Sequence, residues 1–129
     1  MLQTGIQGKA SVIVSDKNTA AAMKSGLLNV YATPMMVALM EDASMQSVQP
    51  YLKEGQTTVG TLVNVKHVSA TPEGMMVTAQ SELIEVDGRR LVFKVSAHDG
   101  ASLVGEGMHE RFIIDAERFM EKTRAKAQQ

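Results

Sequence analysis

Three residues in this chain are of types that do acid–base or nucleophilic chemistry, and each sits in an apolar setting. Glu41 follows the unbroken run Met35-Met36-Val37-Ala38-Leu39-Met40 and has Val37 and Met45 four residues to either side. A carboxylate placed there is costly unless it is hydrogen-bonded, neutralised or put to use, and such groups concentrate at functional sites. The competing reading is that the helix has turned by this point, so that Glu41 and Asp42 face water as most acidic residues do. His67 comes after Thr61, Val63 and Val65 at alternate positions and so shares an apolar strand face with them. Its ordinary pKa suits proton transfer, although a lone histidine on such a face is commonly a packed core residue. Thr33 stands just before Pro34, where a helix should begin. Its role as an N-cap would be sufficient in itself. The same geometry makes the backbone N–H groups of Met35 and Met36 candidates to hold a developing oxyanion.

Spacing constrains how these groups could cooperate. Thr33 and Glu41 are eight residues apart, or about 12 Å along a helix. A shared site therefore needs a bent helix start, a long substrate or a second subunit. His98 falls opposite Leu91, Phe93 and Val95 and is expected to face solvent. His109 shares a face with Gly105, Gly107 and Arg111 and is expected to be buried or interfacial. No two histidines stand at ligand spacing on one element, so no metal is expected. The absence of cysteine rules out disulfides and thiolate catalysis. No phosphate-binding loop or nucleophile elbow is present, and no cofactor is expected.

The elements that must position these residues can be read from the same sequence. With 129 residues, the chain is expected to form one domain over 1–129 with one core. A net charge of −1 without blocks of like charge argues against nucleic acid as a partner. No apolar stretch approaches the roughly 20 residues that cross a bilayer. The start, Met1-Leu2-Gln3-Thr4-Gly5, lacks the pattern of a signal peptide. A soluble, cytoplasmic protein without a membrane partner is expected. Ten methionines against three phenylalanines and no tryptophan suit either a soft core or a pliable pocket.

Lys9 to Val14 alternates as a strand. Ser15 and Asp16 can cap a short helix through Ala20, Ala21 and Ala22, with Gly26 ending it. The helix from Thr33 is apolar all round its first two turns, which predicts a buried helix; it should run to about Val48, because Pro50 forces an exit. Four strands follow: Thr61 to Ser69, Met75 to Val86, the alternating Leu91, Phe93, Val95 and Ala97, and Leu103 to Ile114. Asp87-Gly88 and Asp99-Gly100 mark tight turns between the last three. Gly60, Gly105 and Gly107 suggest a bulge or close backbone approach. Asp115 should cap a C-terminal helix with Ala116, Phe119, Met120 and Thr123 at helical spacing. Strands joined by two-residue turns are antiparallel, and one curved sheet wrapped around one buried helix is the α+β hotdog architecture. Such a layer leaves an edge strand open, so a homodimer is expected.

At these residues the sequence resembles the fluoroacetyl-CoA thioesterase-like family of hotdog proteins. The matching stretches are Tyr31-Ala32-Thr33-Pro34-Met35-Met36-Val37-Ala38-Leu39-Met40-Glu41, Val59-Gly60-Thr61, and Val65-Lys66-His67-Val68-Ser69-Ala70-Thr71-Pro72. Further along come Gly88-Arg89-Arg90-Leu91, Val95-Ser96-Ala97-His98-Asp99-Gly100 and Gly107-Met108-His109-Glu110-Arg111. The resemblance spans roughly residues 5–125 in unchanged order. It implies hydrolysis of an acyl-CoA thioester, with Thr33, Glu41 and His67 at the positions of the family's catalytic threonine, glutamate and histidine. Gly60 and Arg111 match positions near its substrate. On that reading Glu41 attacks the carbonyl or activates water, His67 assists proton transfer, and Thr33 orients. The fluoroacetyl-specific member carries phenylalanines before the central helix, whereas Ala20 to Leu28 holds no aromatic residue here. A short- or medium-chain acyl-CoA is therefore expected rather than fluoroacetyl-CoA, and Pro34 should stiffen the helix start. Two other classes fit the fold: a non-catalytic dimeric module holding an acyl or other hydrophobic ligand, and a hydratase or dehydratase using His67 with Glu41.

Overall fold

A computed structural model describes residues 1–128. In chain order the elements are β1 (Gln7–Ile13), α1 (Ala20–Met23), α2 (Thr33–Val48), β2 (Gln56–His67), β3 (Met76–Asp87), β4 (Arg90–His98), β5 (Leu103–Asp115) and α3 (Ala116–Ala125). A 3₁₀ turn at Gln49–Tyr51 carries Pro50 and ends the run of α2. The strands form one antiparallel sheet in the order β1-β3-β4-β5-β2. Helix α2 lies across its inner face, which is the hotdog arrangement.

The helix buries Met36, Leu39, Met40, Ala43, Ser44 and Val48, positions three or four apart that make a single stripe. Facing them are Val77, Ala79 and Leu83 of β3, the alternating Leu91, Phe93, Val95 and Ala97 of β4, and Val104 of β5, all essentially inaccessible. Removing each of the larger side chains from water is worth about 1.5–3 kcal/mol. Packing this close needs a gap in the sheet, and Gly8 provides it. A Cβ at Gly8 would overlap the carbonyl oxygen of Ala43, the Ser81 hydroxyl and the Ser47 side chain. The helix backbone therefore rests directly on β1.

The turns follow the expected chemistry with one elaboration. Asp87 pairs with Arg90 across the β3–β4 hairpin, and Gly88, at φ +61°, supplies the left-handed residue of its two-residue loop. The Asp99-Gly100 turn is longer, running from Asp99 to Ser102. The buried Asp99 carboxylate accepts hydrogen bonds from the Thr71 hydroxyl (2.8 Å) and from the N–H groups of Ala101 (3.0 Å) and Ser102 (2.9 Å). The Thr71 hydroxyl does most to hold its pKa below the usual carboxylate value.

Several local expectations are corrected. Thr19, not Ser15 or Asp16, caps α1, accepting from the Ala22 N–H at 3.2 Å. The helix stops at Lys24, which takes a left-handed conformation before Gly26 is reached. Strand β2 starts at Gln56, five residues earlier than its alternation suggested, because Gln56 to Gly60 pair with Asp115 to Arg111. Thr61 does not share the face of Val63, Val65 and His67. It is the extra residue of a β-bulge, since the register passes from Gly60↔Arg111 to Leu62↔Glu110. Helix α3 is capped by Asp115 as expected, but Phe119 and Met120 remain 38% and 41% exposed, so its apolar face is not covered by this chain. Beyond the bulge, the edge strand β2 leaves Leu62 and Val63 44% and 43% exposed.

The Gly8 contact gives a direct test of helix placement. Gly8→Val should destabilise the protein by about 1–3 kcal/mol, the usual cost of overpacking a close contact, measured by urea denaturation. An unchanged midpoint would mean that the helix does not rest on β1.

Candidate active site

The start of α2 is fixed from three sides. Ala32 N–H donates to Asn18 O (3.0 Å), Tyr31 N–H to Thr71 O (2.9 Å), and the Tyr31 hydroxyl to Met35 O (3.0 Å). Burial pushes the Tyr31 phenol up to about 12, so it stays protonated and remains a donor. The N-cap is Ala32 and makes no side-chain cap. Thr33 is therefore not the cap but the first helical residue, and its hydroxyl is free for another partner: it lies 2.7 Å from His67 Nδ1. The expected pair of free amides does not materialise either. The N–H groups of Met35 and Met36 both donate to Ala32 O, at 3.0 and 3.1 Å. Met36 itself is a fully buried core residue whose sulfur occupies the space above Gly105.

His67 ends β2 opposite Gly105. Its Nε2 is buried and has no hydrogen-bond partner among the described residues, an arrangement that calls for explanation because buried polar atoms are nearly always paired. Thr33 and His67 share the wall of a cavity of about 320 Å³ with Ser25, Val30, Tyr31 and Val68.

Two turns further along α2, Glu41 faces the sheet while Asp42 faces water. Glu41 looks across Gly60 toward β5. A Cβ at Gly60 would stand 3.0 Å from Glu41 Oε2, 3.3 Å from His109 Cε1 and 3.4 Å from Arg111 Nη1. The missing side chain thus leaves one small space shared by a carboxylate, an imidazole edge and a guanidinium. Arg111 is 7% exposed. Its Nε donates to the Thr58 hydroxyl (2.7 Å), its Nη2 to Thr58 O (2.9 Å), and its Nη1 lies 3.2 Å from His109 Nε2. Burial presses the Arg111 pKa down, and Glu41 acts against that. A cavity of about 440 Å³ opens here between Ala38, Glu41, Met45, Thr58, Gly60 and Arg111.

Of the residues singled out by sequence, the fold brings Thr33 to His67 and brings Glu41 to Gly60 and Arg111. It does not bring the two groups together. Helix α2 runs unbroken from Thr33 to Glu41. On the sheet, Gly60 and His67 pair with residues six apart on β5, roughly 20 Å at the rise of an antiparallel strand. Thr58 was missed by sequence reading, and His109 was seen only as buried or interfacial. The i, i+2 spacing of His109 and Arg111 was the available signal; the Thr58 contact crosses strands and left none.

The fold is a hotdog fold, and comparison with known proteins makes the chain a thioesterase. The sequence profile of the fluoroacetyl-CoA-specific thioesterase family matches residues 14–117. The fluoroacetyl-CoA thioesterase of Streptantibioticus cattleyicolor is 48% identical over 97 residues, covering 75% of this chain and 70% of the relative. The solved structure of the fluoroacetyl-CoA enzyme FlK, in a threonine-to-serine variant in complex with acetyl-CoA, superposes with a TM-score of 0.92 at 37% identity and covers 97% of this chain and 98% of that one. A thioesterase superfamily member from Thermus thermophilus gives 0.89 at 26% identity, covering 98% and 93%. The chain belongs to the fluoroacetyl-CoA-specific thioesterase family and is a thioester hydrolase. Among the described residues, no helix is long and apolar enough to cross a membrane.

The space at Gly60 can be filled with little structural cost, because the nearest atom is the end of the flexible Glu41 side chain. Gly60→Ala should leave the denaturation midpoint within about 1 kcal/mol of the parent while lowering thioester hydrolysis by at least about tenfold through displaced groups. Full activity in that variant would remove Gly60 from the site.

Proposed function

We propose that the protein is a homodimeric acyl-CoA thioesterase whose active sites are composite, each using Thr33 and His67 of one subunit with Glu41, Gly60 and Arg111 of the partner subunit. The observation that carries this reading is the separation of the two groups along the open edge strand β2, one beside Gly60 and the other at His67. Edge strands with exposed apolar residues pair, and two-fold pairing is the commonest way for identical chains to do it. Antiparallel pairing of β2 with its copy, centred between Val63 and Asn64, sets Gly60 of one subunit opposite His67 of the other. The exposed Leu62 and Val63 then lie in the middle of the interface. The buried, unpartnered Nε2 of His67 belongs to a half-site that the partner completes.

In the mechanism, the acyl carbonyl enters the space beside Gly60. Glu41 adds to it directly or takes a proton from the water that does. The fixed positive charge of Arg111 draws the carboxylate and the polarised acyl group into one place. The C–S bond breaks as the tetrahedral centre collapses, and His67, oriented by the Thr33 hydroxyl, returns a proton to the departing CoA thiolate. Where water adds, this step releases the free acid and CoA; where Glu41 adds, it leaves an acyl anhydride on Glu41, which a water molecule then hydrolyses to the free acid and the regenerated carboxylate. Short- or medium-chain acyl-CoA thioesters are the proposed substrates. The absence of aromatic residues between Ala20 and Leu28 supports this class over one narrow substrate, and the name of the 48% identical relative makes fluoroacetyl-CoA the thioester to assay beside acetyl-CoA.

Thiol release should be abolished or lowered at least about a hundredfold in both Glu41→Gln and His67→Ala. Mixing the two inactive variants under exchange conditions should restore about a quarter of parental activity, because half the dimers are mixed and each mixed dimer has one intact site. No restoration despite confirmed subunit exchange would place all catalytic groups in one chain. A single-chain mass by light scattering at micromolar concentration would remove the dimer altogether.

A further inference from the structure

His109 is a deeply buried ionisable group beside Arg111, 1% exposed, and the chemistry above gives it no task. Its surroundings define its protonation state. Nδ1 lies 2.8 Å from the carbonyl oxygen of Leu62, which can only accept, so Nδ1 carries the proton and donates. Nε2 lies 3.2 Å from Arg111 Nη1, which can only donate. Nε2 must therefore present its lone pair. Only the neutral, Nδ1-protonated tautomer satisfies both contacts, and a protonated ring would turn an N–H against the guanidinium. The ring is held in place by Phe93 of β4, whose centroid lies 6.2 Å away at an interplanar angle of 29°.

Both contacts lead to features that the proposed reaction uses. Leu62 follows the bulge residue Thr61, and the bulge is what turns Val63, Val65 and His67 onto the inner face. Arg111 Nη1 is the guanidinium nitrogen that borders the Gly60 space, and its other two nitrogens are held by Thr58. His109 thus touches both the strand beside the bulge and the free edge of the buried cation.

We infer that His109 is a positioning residue which, as a neutral imidazole, aims Arg111 at the Gly60 space and pins the β2 bulge, and that protonating it releases both. The role rests on the acyl-CoA reading of the same site, since it acts through Arg111. The charged groups facing His109 are Arg111 and Glu110 on its own strand and Glu41 from α2. Strand β2 offers it a backbone carbonyl, and β4 offers an aromatic ring. Burial, with Arg111 adding to it, keeps the imidazole pKa below the ordinary 6.5, against the Leu62 carbonyl and the two glutamates, which favour the charged form. A histidine depressed in this way binds protons more readily in the unfolded chain. Its contribution to stability is complete above the ordinary value of 6.5, and it shrinks as pH falls below that value toward the folded pKa.

The test compares His109→Gln, whose side-chain oxygen can still accept from Arg111, with His109→Phe, which fills the space without an acceptor. His109→Phe should lose roughly 10- to 100-fold in kcat, the scale expected when a reacting group is misplaced by about an ångström, with a smaller change in KM. His109→Gln should recover most of that loss. Equal impairment of the two variants, or full kcat in His109→Phe, would overturn the inference by making the ring mere filling. Where a variant fails to fold, imidazole nitrogen NMR on the parent decides: at pH 7.5, above the ordinary value of 6.5, the His109 ring should be neutral with the proton on Nδ1. A charged ring, or a proton on Nε2, would overturn the inference as well. The spectrum needs no turnover, so it remains readable even if no acyl-CoA is hydrolysed, a result that would instead defeat the proposed substrate.

Discussion

A guanidinium stays charged at any pH a folded protein meets, so burying one obliges the surrounding chain to supply acceptors and a counter-charge. Arg111 makes that demand at the end of the sheet where β5, β2 and α2 meet. Thr58 answers with its hydroxyl and its carbonyl, His109 with a lone pair, and Glu41 with a charge. None of these can be exchanged freely. Thr58 must be inward-facing on β2, which fixes the register of that strand against β5 as far as Gly60. Glu41 must sit on the sheet side of α2, which fixes the helix rotation. The carboxylate that looked costly on an apolar helix is thus in a place where a positive charge is already waiting.

The bulge at Thr61 lets one strand serve two purposes. Up to Gly60, β2 contributes to the setting of the cation; beyond Leu62 its inner face carries Val63, Val65 and His67. A regular strand would place residues 58, 60 and 62 on one face and 63, 65 and 67 on the other. The extra residue brings 63, 65 and 67 onto the side of 58 and 60 and turns Leu62 to the other face. It also accentuates twist at the exposed edge, where Leu62 and Val63 wait for a covering surface. The bulge thus decides which side chains of β2 face inward, while the open edge follows from the place of β2 at the end of the sheet.

What the sequence made legible was local. The end of α2 near Val48, the Asp-Gly turn at residue 87 and the alternation of β4 express short-range rules and appear where expected, whereas the apolar start of α2 buries one stripe and leaves Pro34 and Ala38 exposed. What it hid was non-local or involved competition. Thr33 has the right type and place for a cap, but Ala32 already occupies the cap position and the hydroxyl finds a better partner in His67, 34 residues on. The amides of Met35 and Met36 look free in a linear reading, yet the Ala32 carbonyl takes both. Alternation carried Thr61 onto the face of His67 because a bulge changes phase without changing composition. Thr58 left no trace at all, since its value lies in a residue 53 positions away.

Helix length settles the remaining geometric question. Residues eight apart on a straight helix stand about 12 Å apart and, at 100° per residue, point within about 80° of each other. Thr33 and Glu41 can therefore both face the sheet but cannot touch. Bending α2 would bring them together only by breaking its backbone ladder over the best-packed part of the core, where Met36 and Met40 are fully buried. Pro34 at the helix start and the Tyr31–Met35 bond stiffen the turn where such a bend would begin. A rigid helix keeps the two groups apart within one chain. The proposed antiparallel partner edge needs no bend, because a two-fold axis between Val63 and Asn64 would set Gly60 of one copy opposite His67 of the other. In the dimer we propose, the stiffness that keeps the two groups apart within one subunit would hold each half in register for the other.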